Sequence, residues 1–196
     1  MSNKIILVLG GSRSGKSEFA EKLVHHCHGK RKGYIATSRV LDEEMEYRVI
    51  LHQKRRPSDW STFEIFHEAG PSMEKILSQS DTILFDCITM YVNNILMEHM
   101  SHTENQTLGV DDLTALQSFL EKDLDFMFDS ISKTDNKELI FVSDELGMGI
   151  VPASAMSRIY RDLVGLANQY VAKKSEQVYL SVAGITIELK SRGVEL

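Results

Sequence analysis

The chain has 196 residues, 42% hydrophobic and 26% charged, with a formal net charge of −6. That length buries a sizeable core without covalent staples, and one domain over 1–196 is expected. The acidic balance argues against sequence-independent binding to nucleic acid, while basic clusters at 30–32 and 54–56 keep an anionic small ligand open.

The N-terminal stretch MSNKIILVLGG does not read as a signal peptide, because its five-residue apolar run leads into glycines without a small-residue cleavage site. No apolar run approaches the roughly 20 residues that span a bilayer. Two cysteines, Cys27 and Cys87, are too few for a secreted disulfide framework, so a reducing, cytoplasmic location is expected. Strands are predicted at 5–9, 34–36, 62–66, 82–86, 139–143, 178–182 and 185–189. Most are separated by stretches long enough for a helix, which predicts an α/β fold: a mostly parallel sheet with flanking helices. Residues 17–24 have helix composition. His25, His26, Cys27 and His28 resemble a metal cluster, but adjacent helix positions face different ways; a helix end before Gly29 is the simpler reading. Residues 98–111 are polar and without period, and are read as a surface loop. At 112–131, Leu113, Leu116, Leu120, Leu124 and Phe128 recur on one helical face, and 154–172 repeats the pattern from Met156 to Val171. Only Ala183-Gly184 separates the last two strands, which predicts an antiparallel hairpin at a sheet edge.

The sharpest motif is Gly10-Gly11-Ser12-Arg13-Ser14-Gly15-Lys16-Ser17, a G-x-x-x-x-G-K-[ST] phosphate loop between a strand and a helix. Its glycines let backbone N–H groups converge on phosphate oxygens at the positive end of the helix. Lys16 is expected to reach the β- and γ-phosphates and Ser17 to hold Mg²⁺. A second carboxylate for the metal is expected at a strand end, and Asp86 closes the apolar run 82–86; a helix cap is the plainer role for it. Such a loop alone does not name a reaction.

Residues 42–57 place acidic side chains first and basic ones last, as a helix dipole prefers. At about 100° per residue, Arg48, His52 and Arg55 fall within roughly 60° of one another. Two neighbouring cations would push a histidine pKa down and leave it neutral, able to attack phosphorus. By spacing alone, a solvated basic helix end with an incidental histidine is the favoured reading.

Six ordered blocks change that balance: LGGSRSGKS (9–17), YIATS (34–38), DEEMEYRVILHQKRRPSDWSTFE (42–64), LFDCITMYVNNIL (84–96), FVSDELGMGIVP (141–152) and RIYRDLVGLANQYVAKKSEQVYLSVAGI (158–185). Together they resemble the bifunctional adenosylcobinamide kinase/adenosylcobinamide-phosphate guanylyltransferases. The resemblance implies a RecA-like P-loop fold, assembly as a trimer or a dimer of trimers, and two reactions of cobalamin assembly or salvage. Adenosylcobinamide would be phosphorylated with ATP or GTP, and GMP from GTP would be joined to that phosphate, giving adenosyl-GDP-cobinamide. His52 matches the guanylylated histidine. Nucleotide contacts are implied at Gly10 to Ser17, at Thr37, Ser38 and Arg39, at Gln53, Lys54, Arg55 and Arg56, and at Glu64 and Asp86. One departure stands out: Asp144 occupies a position where the family commonly has Asn, which adds a charge near the expected phosphate site.

Glu145 before the glycine-rich turn at 147–149 suggests a phosphate-side or corrinoid-side loop, against a simple structural turn, and Trp60 suggests a packing anchor for the histidine segment. Two rivals remain open on the residues: a P-loop kinase of another small alcohol or nucleotide, and a nucleotide-binding regulatory module without turnover. The first would not form a covalent His52 adduct, and the second would show little or no turnover with a corrinoid.

Overall fold

The structure, a computed structural model, describes residues 2–39, 43, 47, 49–50, 57–102 and 108–194. The elements in chain order are β1 (Lys4–Gly10), α1 (Lys16–His26), β2 (Lys32–Ala36), β3 (Ser61–Glu64), α2 (Ala69–Gln79), β4 (Thr82–Asp86), α3 (Ile88–Ser101), α4 (Val110–Ser132), β5 (Glu138–Asp144), α5 (Ala155–Lys174), β6 (Gln177–Val182) and β7 (Ile185–Glu188). Between β2 and β3, Glu43, Tyr47, Val49 and Ile50 have helical backbone. The strands form one sheet in the order β3-β2-β4-β5-β1-β6-β7. Every pairing is parallel except β6 with β7, so the expected antiparallel hairpin lies at one edge.

Strand side chains alternate between two cores, as a period of two requires. Ile6 and Val8 of β1, Leu84 of β4, and Ile140 and Val142 of β5 pack with Ala20 and Val24 of α1 and with Trp60. Leu7, Ile83, Phe85, Leu139 and Phe141 point the other way, into a larger core with α2, α3, α4 and α5. Phe141 sits at its centre, its ring centroid 5.2 Å from that of Phe85 and 6.0 Å from that of Phe128. Among the described residues, no helix is long and apolar enough to cross a membrane.

The stretch 98–111 corrects the sequence reading. Helix α3 continues through Ser101 and α4 begins at Val110. Residues 102, 108 and 109 are non-helical, and 103–107 lie outside the described residues. A helix end needs little apolar surface: Met100 alone packs on the core while Glu98 and Ser101 face solvent, so no period is left to detect. His99 Nε2 meets Asp112 Oδ1 at 2.9 Å, and Asp112 Oδ2 accepts the Gly109 N–H at 2.8 Å, which ties the two helix ends together.

Helix α2 starts without a side-chain cap of its own, after Glu68 in a left-handed conformation. Asp123 of α4 supplies the missing anion. Its buried carboxylate accepts the Ala69 N–H at 3.1 Å, the Gly70 N–H at 3.0 Å and the Tyr91 hydroxyl at 2.5 Å. Burial, then the Asp123 charge, pushes the Tyr91 phenol far above its ordinary range, so it remains a donor. Asp123→Ala strands these donors in the core and is expected to cost about 3 kcal/mol in urea unfolding. A loss below about 1 kcal/mol would mean that water replaces the carboxylate.

At the amino ends of the strands, Arg31 forks onto Asp81, with Nη2 to Oδ1 at 2.6 Å, while the buried Lys137 reaches the same oxygen at 2.9 Å. The Arg31 guanidinium above all holds the Asp81 carboxyl well below the usual carboxylate range. Lys32 Nζ donates to Cys27 O and to Thr82 Oγ1. Arg31 and Lys32 of the basic cluster at 30–32 thus close the sheet's amino edge.

Candidate phosphate-binding site

The turn from β1 into α1 is built for close approach. Arg13 and Gly15 have φ of 59° and 93°, left-handed values that are cheap for glycine and costly for most other residues. Ser14 is buried; its N–H donates to Gly11 O at 3.2 Å, and its own carbonyl accepts the Gly184 N–H at 2.8 Å. A Cβ on Gly15 would lie 3.2 Å from Gly184 Cα. The β6–β7 turn therefore braces the loop from behind. That turn needs positive φ at both central residues, which Ala183 and Gly184 provide at 51° and 81°.

Parallel register aligns the strand ends. Ala36 of β2 is level with Glu64 of β3 and with Asp86 of β4, and Gly10 of β1 is level with Asp144 of β5 and Ser181 of β6. Open α/β sheets bind ligands at the carboxyl ends of their strands, and the loop, Glu64, Asp86 and Asp144 all lie there.

The Asp86 corner is held closely. Tyr34 donates its hydroxyl to Asp86 Oδ2 at 2.9 Å. Thr37, fully buried, donates to Cys87 O at 2.9 Å and accepts the Cys87 N–H at 2.7 Å. Asn94 Nδ2 bridges Thr37 O and Phe66 O at 2.7 and 3.1 Å. Thr37, expected at the nucleotide, thus has its hydroxyl engaged in fixing the turn after β4. Ser38 and Arg39 are half-buried beside it, with the Arg39 guanidinium 5.2 Å from the Phe66 ring centroid.

Lys16 opens α1 with Ser17 next to it in the first turn. Its ammonium lies 2.5 Å from Asp144 Oδ1 and 3.3 Å from Gly11 O. Burial pushes the Cys87 thiol up to about 12, with the charges of Asp86 and Asp144 adding to the rise and Lys16 opposing it. All three charges therefore converge around Cys87, whose thiol remains protonated and is no nucleophile.

Of the expected site residues, the structure brings Gly10 to Ser17, Thr37 to Arg39 and Asp86 to one edge, with Glu64 exposed at the end of β3. His52, Gln53, Lys54, Arg55 and Arg56 lie outside the described residues. Trp60 is a packing residue, its ring 5.4 Å from that of His25. Among the described residues, no group of three or more His, Cys, Asp or Glu side chains could hold a metal ion. Glu145 Oε1 accepts the Gly147 N–H at 2.7 Å inside its own turn, beyond which Met148, Ile150 and Val151 are exposed. Asp144 was absent from the expected contacts, although it ends an apolar strand as Asp86 does. Tyr34, Asn94 and Gly184 fall within the matched blocks, but their contacts with Asp86, Thr37 and Ser14 exist only in the folded chain.

A profile described as "Cobinamide kinase / cobinamide phosphate guanyltransferase" matches residues 6–189. The bifunctional adenosylcobalamin biosynthesis protein CobU of Salmonella typhimurium is 34% identical over 186 residues, covering 95% of this chain and 99% of the relative. The protein named CobP in Pseudomonas aeruginosa is 33% identical, covering 94% and 96%. In fold, the chain is similar to an ATPase of a bacterial type III secretion system, at TM-score 0.59 and 11% identity, over 98% of this chain and 59% of the other. That neighbour supports the RecA-like P-loop architecture alone. With the phosphate loop, the Asp86 strand end and the full-length match in agreement, the chain belongs to the cobinamide kinase/cobinamide phosphate guanyltransferase family.

Proposed function

We propose that this chain phosphorylates adenosylcobinamide and then guanylylates the product, working as one nucleotide-binding domain in the cytoplasm. The observation that carries the reading is the family's phosphate loop, set at the carboxyl edge of the sheet with Lys16 and the Asp86 strand end beside it. In the kinase step the substrate hydroxyl oxygen attacks the γ-phosphorus of ATP or GTP. The bond from that phosphorus to the β-bridging oxygen breaks, the nucleoside diphosphate leaves, and the hydroxyl proton passes to solvent. Lys16 steadies the charge on the β- and γ-oxygens while the loop N–H groups hold the phosphates in line.

In the transfer step a neutral His52 nitrogen attacks the α-phosphorus of GTP and pyrophosphate leaves. A phosphate oxygen of cobinamide phosphate then attacks the same phosphorus, the P–N bond breaks and the imidazole is regenerated. Arg55 and Arg56 offset charge on the α-phosphate and pyrophosphate. Gln53, Lys54, Glu64, Ser38 and Arg39 complete the nucleotide contacts in this reading.

Ser17 and Asp86, a hydroxyl and a carboxylate, form a hard-oxygen set suited to Mg²⁺ that arrives with the triphosphate and keeps its remaining waters. Bound there, the ion would neutralise phosphate charge. Assembly as a trimer or a dimer of trimers rests on resemblance, and a monomer mass by light scattering would exclude it.

The test is conversion. Adenosylcobinamide with ATP, GTP and Mg²⁺ should yield the phosphate and then adenosyl-GDP-cobinamide by mass spectrometry. Nucleotide hydrolysis without a corrinoid product would reject both activities, and accumulation of the phosphate alone would reject the transferase.

A further inference from the structure

The phosphate loop carries a counter-charge of its own. Asp144 Oδ1 lies 2.5 Å from Lys16 Nζ, and the two side chains are only 24% and 12% exposed. Water screens such a pair weakly, so each charge strongly affects what the other can bind. The main chain of Asp144 is also held in place. The Asp144 N–H reaches Thr89 Oγ1 at 2.7 Å, its carbonyl accepts from Asn168 Nδ2 at 3.0 Å, and its backbone is in register with Gly10. Helices α3 and α5 thus anchor the residue without using its side chain. A triphosphate that takes the Lys16 ammonium leaves the Asp144 carboxylate without this partner beside the loop.

We propose that Asp144 is a specificity-determining residue for nucleotide charge state: it holds Lys16 while the loop is empty and penalises metal-free triphosphate relative to the magnesium complex. The inference rests on the P-loop reading above. Metal-free triphosphate carries about two more negative charges than its magnesium complex, so a neighbouring carboxylate repels it more. The loop N–H groups contribute only partial positive charge, and Lys16 is the cation paired with Asp144, so the two side chains nearly cancel as seen by an approaching anion. Magnesium on the triphosphate removes the excess charge that the carboxylate opposes. The phosphate site then favours the form of nucleotide that can react.

The experiment measures ATP dissociation constants by titration calorimetry, with excess Mg²⁺ and with EDTA, on the full chain and two variants. Asp144→Asn keeps the size and every main-chain bond, so its melting temperature should stay near that of the unaltered protein. It should tighten metal-free ATP on the order of tenfold and Mg–ATP by less than about threefold, collapsing the preference for the metal complex. Asp144→Glu keeps the charge and should keep the preference. An equal change in both constants for Asp144→Asn, or weaker binding in both states, would overturn the inference and leave Asp144 as a holder of Lys16. Failure of the unaltered protein to bind Mg–ATP would instead reject the P-loop reading, and the inference with it.

Discussion

Incubated with α-labelled GTP and Mg²⁺, the protein should become labelled, and His52→Asn should not. The label should be absent with γ-labelled GTP, because pyrophosphate leaves with the β- and γ-phosphates. The bond should break in acid and survive base, as a phosphoramidate does. Asn matches imidazole in polarity and rough size but has no nitrogen lone pair free to attack phosphorus. GMP transfer should therefore fall to background in the variant, a loss of at least about a thousandfold for a covalent route that has lost its nucleophile. Phosphorylation of adenosylcobinamide needs only in-line transfer from the P-loop and should persist at near its normal rate. This separation distinguishes a two-reaction enzyme from a simple kinase, which takes no label at all. Retained labelling of His52→Asn would place the nucleophile elsewhere and break the central assignment.

Lys16→Ala should depress both reactions. The ammonium is a single strong donor to phosphate oxygens in a mostly buried setting, and removing a comparable preorganised donor costs roughly a hundredfold in turnover. The structure makes the loss larger than one contact. Without Lys16, the Asp144 carboxylate at 2.5 Å loses its partner and stands unopposed beside the incoming phosphates. Kinase kcat/KM should consequently fall further than a hundredfold, with affinity for Mg–ATP reduced as well. Adding Asp144→Asn to Lys16→Ala should recover part of the nucleotide affinity, because the second change removes the repulsion exposed by the first. Strictly additive effects of the two changes would show that the pair does not act as a unit. Near-normal turnover of Lys16→Ala alone would reject the phosphate-loop assignment.

The sheet was legible because its strands are short apolar runs set apart by helical stretches. All seven predicted strands form, with ends shifted by at most two residues. The phosphate loop was equally legible, since its glycines, Lys16 and Ser17 are consecutive and the chemistry requires that spacing. Helix ends were harder: at 98–101 a polar helix terminus carries no apolar period, and the contact of His99 with Asp112 that helps hold it is long-range.

What the sequence determined by itself is the local material: a Gly-rich turn after a buried strand, carboxylates ending apolar runs at Asp86 and Asp144, and a family pattern spread along the chain. Strand order lay beyond it, because β1 pairs with β5 and β6 and not with its neighbour in sequence, β2. That crossover puts Asp144 against Lys16, and it sets the Ala183-Gly184 turn behind Gly15. Tyr34 meets Asp86 for the same reason, across 52 residues of chain. Local propensity acts over a few residues, whereas these contacts arise only when parallel strands close through crossover helices. The tertiary structure alone therefore decided which charges face each other at the phosphate loop.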